Sequence, residues 1–241
     1  MHDFNTKLIH TMLIERQNKV RSGVYALTQR EFAYNSNKIE GSRLTKEHTN
    51  SLFDTGSIYS EGEYRAKDIE EATGHFVMFN AMLDTLKEPL SEDLIKYFHK
   101  CLKQGVFEDI ANGYAIGEYK TRVNYVGEIQ TAHPSQVAAL MKELLEQYNQ
   151  KVKNIETLAW LHAHFEKIHP FQDGNGRTGR ILLYRECLVH QICPFLIRDE
   201  NKARYVNALY IAQTTEDHSK LVNYFKEEQD WYRNKVEEAL I

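Results

Sequence analysis

Residues 169–180 bring together most of the side chains in this chain that could act on a phosphate. The segment reads HPFQDGNGRTGR and lies between two apolar, helix-patterned stretches. Gly174 and Gly176 can adopt positive φ, which would let consecutive backbone N–H groups point into one concavity. A helix that begins there would add its N-terminal N–H groups and the positive end of its dipole. The segment therefore predicts an anion-binding turn.

The charged residues of the same segment extend this prediction. Arg177 and Arg180 are three positions apart, so both could reach one anion from a helix. Asp173 would repel a phosphate unless a divalent cation, such as Mg²⁺, lay between them. His169 ends the preceding helix, where it could take a proton from an incoming hydroxyl. Together these residues predict a phosphate cradle, a metal ligand and a general base.

Other interpretations of the segment are weaker. A glycine-rich turn between helices is a common helix end. The glycine spacing at 174–179, with acidic residues at 199 and 200, fits a dinucleotide-binding fingerprint. That fingerprint must follow a strand, however, and residues 158–168 have a helical period. The chain also has no GxxxxGK(S/T) phosphate loop.

The histidines near the segment do not predict a zinc site. His133, His162, His164 and His169 are the candidates in this part of the chain. His162 and His164 are two positions apart on a predicted helix, so they do not share a face. The set lacks the ligand spacing typical of zinc sites.

The string HPFQDGNGRTGR resembles the Fic motif, HxFx(D/E)GNGRxxR, and matches it at every fixed position. The resemblance extends to the preceding TLAWLHAHFEKI, a hairpin near 119–132 and the later YVNAL, and covers about residues 60–230. It implies an all-α fold, a Fic helical bundle with a short β-hairpin flap. It also implies transfer of AMP from ATP to a hydroxyl of a target protein.

The resemblance implies a role for each residue of the motif. His169 would deprotonate the target Ser, Thr or Tyr hydroxyl. Asp173 would hold Mg²⁺ between the α- and β-phosphates, and Phe171 would anchor the loop in the core. The nucleotide would be bound by Gly174, Asn175 and Gly176 in an anion hole, by Arg177 and Arg180 at the β- and γ-phosphates, and by Tyr205 and Asn207 at the adenine. Core packing is an equal alternative for Tyr205.

A second segment, SNKIEG at 36–41, matches the inhibitory motif of the same family, (S/T)xxxE(G/N). Alone, it would be an ordinary helix end followed by Gly41. Glu40, however, would lie at the negative end of its helix dipole, where a carboxylate is disfavoured unless a cation such as Arg180 pairs with it. The resemblance implies that Ser36, Glu40 and Gly41 form the inhibitory motif. It also implies that Glu40 occupies the γ-phosphate site. The position of this segment, upstream of the Fic motif, resembles the class with an N-terminal inhibitory helix.

The hairpin near 119–132 would be the flap that docks the target. An extended target segment could add to its edge by main-chain hydrogen bonds. A purely structural hairpin is the alternative. The candidate docking residues are Tyr119, Lys120, Asn124, Tyr125 and Val126.

Helical periodicity dominates the rest of the chain, and glycine (12) and proline (4) are scarce. Helices are predicted over about 3–19, 28–40, 63–86, 91–102, 134–148, 155–168, 179–191, 202–213 and 218–239. Residues 112–133 break this period and predict a hairpin or extended loop. We expect residues 1–60 to form a helical extension that carries the inhibitory helix, and residues 61–241 to form the Fic domain with its C-terminal helices.

Composition limits the partners and the compartment. The net charge of -4 disfavours a nucleic-acid partner. No stretch reaches the roughly 18 apolar residues of a membrane span, and no signal peptide is evident, so no membrane partner is expected. Cys101, Cys187 and Cys193 have no CxxC spacing and indicate reduced thiols in the cytoplasm.

Several functional alternatives stay open at this point. The transferred group could be UMP, phosphocholine or phosphate, and the reverse reaction, removal of AMP, could also occur. A nucleotide-sensing module without catalysis is the alternative outside the enzymes. The target hydroxyl could belong to another protein or to the chain itself, with Tyr25, Tyr34 and Tyr59 as candidates, and the resemblance allows a homodimer.

Overall fold

The computed structural model describes residues 2–59, 63–127 and 129–240. In these residues one short hairpin supplies all the strand structure, and the other regular elements are helices, so the predicted all-α fold is confirmed. The elements are α1 (His2–Gln17), α2 (Val24–Ile39), α3 (Lys46–Thr55), α4 (Ala66–Asp84), α5 (Glu92–Lys103), α6 (Phe107–Ala111), β1 (Tyr125–Val126), β2 (Ile129–Gln130), α7 (Pro134–Gln150), α8 (Ile155–Ile168), α9 (Asn175–Val189), α10 (Lys202–Thr215) and α11 (Ser219–Glu237).

Local capping signals account for several of the helix starts. The Ser91 side chain accepts a hydrogen bond from Leu94 N at 3.2 Å at the start of α5. The Asn154 side chain accepts one from Thr157 N at 2.8 Å at the start of α8. Such caps satisfy N–H groups that have no partner within the helix. Pro134 begins α7, where its missing N–H costs nothing.

Two helices were not predicted, and two others, α2 and α9, begin about four residues earlier than predicted. The short α3 is polar, and its start is set by a capping box between Thr45 and His48. The five residues of α6 are too few to show a period. Helix α9 begins at Asn175 rather than near 179, because Gly174 precedes it with a φ of 82° and acts as its N-cap.

The N-terminal helices share one hydrophobic core with the rest of the chain. Leu8, Met12 and Phe32 belong to the same buried cluster as Tyr184. Thr28 Oγ1 lies 2.7 Å from the hydroxyl of Tyr232, which lies 2.7 Å from that of Tyr184. Helices α1 and α2 are thus integrated into the bundle. The predicted boundary between residues 60 and 61 lies outside the described residues.

The predicted hairpin is present but short. Its strands β1 and β2 pair antiparallel, with Tyr125 opposite Gln130 and Val126 opposite Ile129. The three cysteines are free and buried. In the parts of the chain that the structure describes, every helix is too short or too polar to cross a bilayer.

Candidate active site

The turn between α8 and α9 is held by hydrogen bonds within the turn itself. Asn175 accepts from Phe171 N through Oδ1 at 2.7 Å and donates to Phe171 O through Nδ2 at 2.8 Å. The Phe171 ring is buried and stacks on His99 at a centroid distance of 3.9 Å. Phe171 therefore lies in the core, as predicted. The side chain of Asn175 thus closes the turn through its two hydrogen bonds to Phe171. The backbone N–H of Asn175 stays available for an anion.

The first turn of α9 faces an anion that the protein itself supplies. Its N–H groups at Asn175, Gly176 and Arg177 have no acceptor four residues back along the helix. A Cβ on Gly176 would overlap Oε1 of Glu40. The expectation of positive φ is right for Gly174 and wrong for Gly176, which is helical. Glycine at 176 lets the Glu40 carboxylate approach this closely, and a side chain there would displace the carboxylate.

Glu40 and Arg180 form the ion pair that the sequence predicted. Glu40 caps the C-terminus of α2, and Gly41 follows with a φ of 89°. Arg180 Nη2 donates to Glu40 Oε1 at 2.7 Å. Arg180 also donates to Ser36, from Nε to Oγ and from Nη2 to the backbone oxygen, both at 2.9 Å. One guanidinium thus holds the last turn of α2 beside α9.

The charge of Glu40 is stabilised by this arrangement. Burial alone would raise the pKa of Glu40, but the positive charges of Arg180 and Arg177 outweigh it and lower that pKa. The side chain keeps 34% of its surface exposed. An ionised carboxylate therefore lies at the positive end of the α9 dipole, where negative charge is favoured. The residues around it form a site for an anion.

Arg177 forms its closest ion pair with a buried carboxylate other than Glu40. Its Nη1 lies 2.5 Å from Oε2 of Glu71 and donates to Oδ1 of Asn37 at 3.3 Å. Its Nη2 lies 3.4 Å from Oδ1 of Asp173. The two arginines of the motif therefore contact different partners in this state. Of these two arginines, Arg180 is the one that binds the Glu40 carboxylate.

A buried ammonium group holds Asp173 from the other side. Lys103 Nζ lies 2.5 Å from Glu71, 2.6 Å from Asp109 and 2.9 Å from Asp173 Oδ2. Lys67 Nζ lies 3.5 Å from the same Asp173 oxygen. Burial would raise the pKa of Asp173, but Arg177 and Lys103 hold it well below its usual range. Sequence reasoning missed this network because Glu71, Lys103 and Asp109 belong to no local motif and meet only in the fold.

The surroundings of Asp173 fit a magnesium ion that a nucleotide brings with it. Its side chain is 32% exposed and is held ionised. Mg²⁺ is commonly bound by one or two carboxylates together with substrate phosphates and water. The nearby Lys67 is itself partly exposed and also pairs with Glu108, so it can move away from Asp173. Asp173 could therefore supply the single protein carboxylate of such a site.

His169 occupies a left-handed conformation at the end of α8, with φ of 54° and ψ of 63°. Its N–H donates to Phe165 O at 2.9 Å and closes the helix. Burial lowers the pKa of His169 to about 4, and the Lys120 ammonium acts in the same direction. The imidazole is therefore neutral at pH 7 and has a lone pair available for a proton.

Glu166 is a second buried acid, next to His169, that sequence reasoning missed. Its Oε2 lies 3.8 Å from His169 Nδ1. Burial raises the pKa of Glu166 to about 8, and the positive charge of Arg180 only partly opposes this. A Cβ on Gly179 would overlap Glu166 Oε1, so the third glycine of the motif admits this carboxyl. At pH 7, His169 therefore has a protonated carboxyl near its Nδ1.

Comparison with known proteins identifies the domain. Residues 89–187 match the model of the Fic/DOC family. The chain contains a Fic/DOC domain. A Fic domain containing signaling protein from Bacteroides thetaiotaomicron VPI-5482 has a similar structure, with a TM-score of 0.70, 25% identity and coverage of 99% of this chain and 92% of that one. Fic-1 (aa134–508) from C. elegans shares the fold, with a TM-score of 0.71, 20% identity and coverage of 99% and 73%.

Curated relatives of the Fic domain carry the name of an activity. The chain is 23% identical over 219 residues to "Protein adenylyltransferase fic-1" of Caenorhabditis elegans, covering 88% of this chain and 41% of that protein. It is 27% identical over 189 residues to "Protein adenylyltransferase Fic" of Drosophila willistoni, covering 74% and 36%. The chain therefore spans about two fifths of the length of these relatives.

The residues predicted at the adenine lie on different sides of α10 in this Fic domain. Tyr205 is buried, and its hydroxyl lies 2.7 Å from His162 Nε2. Asn207 is exposed. Because two positions on a helix are about 200° apart, the two side chains point to different faces. Tyr205 has the core position that was the alternative in the sequence.

The flap of the Fic domain is anchored to the active-site turn by two of its predicted docking residues. Lys120 is buried, its N–H donates to Pro170 O at 2.9 Å, and its Nζ contacts Asn124, Thr131 and Ile168 O. Asn124 Nδ2 donates to Phe171 O at 2.9 Å. Burial lowers the pKa of Lys120 to about 8. These contacts fix the base of the flap against the residues that follow His169.

The other three predicted flap residues differ in their exposure. The Tyr119 hydroxyl donates to Glu92 at 2.8 Å, and the Tyr119 ring packs under Lys96. Tyr125 is 61% exposed and Val126 is 50% exposed, both on β1. The two β1 residues are therefore the ones accessible to a target segment. Tyr119 joins the flap base to α5.

Proposed function

We propose that this Fic domain transfers AMP from ATP to a Ser, Thr or Tyr hydroxyl of a protein. The proposal rests on the position of the Glu40 carboxylate. It lies beside Gly176, where Arg180 and the N-terminus of α9 bind a negative charge. A triphosphate offers the same kind of group to the same donors. The printed names of the curated relatives support AMP as the group transferred.

The residues of the turn can carry out the reaction by positioning and by proton transfer. The target hydroxyl oxygen attacks the α-phosphorus of ATP, the bond from that phosphorus to the bridging oxygen breaks, and diphosphate leaves. His169, neutral at pH 7, accepts the hydroxyl proton. Arg180 and the backbone of Gly174–Gly176 hold the phosphates in place. Asp173 would hold Mg²⁺, which neutralises phosphate charge when it is bound.

The same geometry supports autoinhibition by Glu40. Its carboxylate and a nucleotide phosphate would compete for Arg180 and for the space above Gly176. With Glu40 in place, ATP would bind with its phosphates displaced from the productive position. Ser36 supports the inhibited state because it binds the same guanidinium from the preceding turn of α2. Activation requires Glu40 to leave Arg180.

Labelled ATP tests the proposed reaction. Wild type and Glu40→Gly would be incubated with a cell lysate, and in parallel alone, with ATP labelled at the α- or at the γ-phosphate. We expect strong protein labelling by the Glu40→Gly variant from the α label and none from the γ label. Labelling from the γ position alone would indicate phosphorylation instead. ATP binding without labelling from either position would support a nucleotide-sensing module.

The same experiment also tests self-modification, and the compartment and the oligomeric state are separate parts of the proposal. Labelling of the isolated chain would establish self-modification. The three buried free cysteines support a reducing compartment, for which we propose the cytoplasm, where ATP and Mg²⁺ are present. A homodimer is part of the proposal by resemblance alone, and the molar mass in solution tests it.

A further inference from the structure

A cluster of three side chains that could bind a metal ion lies outside the 169–180 motif. His164 belongs to α8, while Glu216 and His218 belong to the turn between α10 and α11. One ligand atom from each of the three lies within 4.8 Å of the other two. The reaction proposed above uses none of these residues. The cluster therefore needs its own explanation.

The hydrogen bonding of His164 selects the nitrogen that faces the cluster. Its Nδ1 lies 2.9 Å from Trp160 O, one turn earlier in α8. Because a carbonyl oxygen only accepts, Nδ1 carries the proton, and Nε2 has a free lone pair. That Nε2 lies 3.5 Å from Glu216 Oε2. A histidine whose other ring nitrogen donates to a backbone carbonyl is typical of metal ligands.

Glu216 and His218, in the turn, also have positions that suit metal ligands. The His218 ring lies at 17° to that of His164 with a centroid distance of 6.0 Å. Its Nε2 is inaccessible to solvent, and no group in the described residues forms a hydrogen bond with it. Glu216 has a φ of 60°, which is strained for a residue other than glycine. Lys167 binds Glu216 Oε1 at 3.1 Å, which leaves Oε2 directed at His164.

We infer that His164, Glu216 and His218 bind one Zn²⁺ ion, with water as the fourth ligand. Two histidines and one carboxylate form a known ligand set for zinc. Tetrahedral coordination needs the ligand atoms roughly 3.3 Å apart. The ligand atoms now lie within 4.8 Å of one another. Side-chain rotations of Glu216 and His218 would bring them to the shorter distance.

The position of the ion would matter for the helix that carries the catalytic base. His164 is five positions before His169 on the same helix. The ion would tie this part of α8 to the turn between α10 and α11, so it would stabilise the packing of those helices. The earlier expectation against zinc concerned His133, His162, His164 and His169. His162 does point elsewhere, because it binds Tyr205. The other two ligands proposed here, Glu216 and His218, follow His164 by 52 and 54 positions in the sequence.

Metal titration of the full chain, purified without a histidine tag and treated with a chelator, tests the site. We expect isothermal titration calorimetry with ZnCl₂ to give one ion per chain, and Co²⁺ to give the visible absorption of four-coordinate cobalt. His218→Ala and Glu216→Ala change only the turn, and each should weaken Zn²⁺ binding at least about tenfold, since loss of even an outer partner costs 10–100-fold. Helix content by circular dichroism should stay unchanged.

A matched control separates this site from other histidines. His10→Ala changes an exposed histidine on α1 and should bind Zn²⁺ as wild type does. Equal binding by wild type and a Glu216→Ala/His218→Ala double variant would overturn the inference. So would weakening of the same size in His10→Ala. Because the readouts are binding and absorption, they are independent of AMP transfer, and either proposal can fail without the other.

Discussion

Oε1 of Glu40 lies 2.7 Å from Nη2 of Arg180, although the two residues are 140 positions apart in the chain. The same arginine binds the side chain and the backbone of Ser36. Helix α2 is therefore joined to the first turns of α9 by one guanidinium with three acceptors. The two acid–base groups His169 and Glu166 lie in the same region, 3.8 Å apart.

Removing the charge of Glu40 is expected to increase AMP transfer. Glu40→Gln keeps the size of the side chain but loses the ion pair, and Glu40→Gly also empties the space above Gly176. We expect activation by both variants, with the larger effect for glycine. A hydrogen bond to a charged group contributes about 1.5–3 kcal/mol, so the glutamine variant should gain at least about tenfold. Incorporation of α-labelled ATP measures this.

Glu47→Gln is the control for this pair, because Glu47 is an exposed acid at the start of α3. Its labelling should equal that of wild type. If Glu40→Gln and Glu40→Gly both label no more than Glu47→Gln, inhibition by Glu40 is wrong.

Ser36→Ala is expected to activate the domain partially. The substitution removes the hydrogen bond from Arg180 Nε to Oγ and leaves the ion pair with Glu40 in place. Arg180 would then be held less firmly in the inhibited orientation. We expect labelling between that of wild type and that of Glu40→Gly, with the helix content of wild type. Labelling below that of wild type would contradict this role of Ser36.

His169→Ala in the Glu40→Gly background is expected to abolish transfer while ATP still binds. The substitution removes the only base that the proposed mechanism uses, and the donors of the first turn of α9 stay in place. Calorimetry with ATP and labelling with the α label measure the two effects separately. His133→Ala, at the start of α7, should keep full labelling. Substantial labelling by the His169→Ala variant would exclude His169 as the base.

The pH dependence of the activated variant tests the state of the same residue. A histidine with the ordinary pKa of 6.5 would lose its base form as the pH falls below 6.5. Because burial lowers the pKa of His169 to about 4, the base form persists to far lower pH. Labelling by Glu40→Gly should therefore change little between pH 7 and pH 5.5. A fall centred near 6.5 would show that the imidazole is not desolvated.

Glu166→Gln is expected to stabilise the protein near neutral pH. The pKa of Glu166 is raised to about 8 in the fold, while the unfolded chain ionises near 4.5. Between these values the unfolded state holds fewer protons than the folded state, so the free energy of unfolding falls as the pH rises. Each unit of pH removes about 1.4 kcal/mol, and the neutral glutamine avoids this loss.

Urea denaturation of wild type and Glu166→Gln at pH 5, 6, 7 and 8 measures that difference. It should grow with pH over the whole interval, and other titrating groups cancel because both proteins contain them. Glu156→Gln, at the exposed start of α8, should show no such trend. A difference that does not change with pH would mean that Glu166 is ionised in the folded protein.

The parts of the site that a short stretch of sequence encodes could be predicted. The segment at 169–180 contains the N-cap Gly174, the hydrogen bonds between Phe171 and Asn175, and the start of α9. Its residue types therefore predict its conformation. The pair of Glu40 and Arg180 could be predicted as well, because both segments match motifs of one family and a glutamate at a helix C-terminus needs a cation. In both cases a local electrostatic requirement is visible in the sequence.

What could not be predicted depends on contacts between distant helices. Glu71, Lys103 and Asp109 look like ordinary charges on helix surfaces, yet the fold buries them together around Asp173. Glu166 looks like one more polar position of α8, and only the tight packing against Gly179 shows that it is desolvated. The helical pattern located most elements, but α3 and α6 were too short or too polar for a periodic signal.

The burial of α2 bears on how the proposed inhibition would respond to its surroundings. The helix contributes Val24, Phe32 and Ile39 to the core, so it cannot dissociate while the bundle stays folded. In the proposed inhibition, Glu40 would therefore compete with nucleotide at a fixed effective concentration, whatever the amount of protein in the cell. The active fraction would depend on nucleotide level and on target binding, and dilution of the protein would leave it unchanged. Release needs only a side-chain rotation, which is fast compared with a single catalytic turnover.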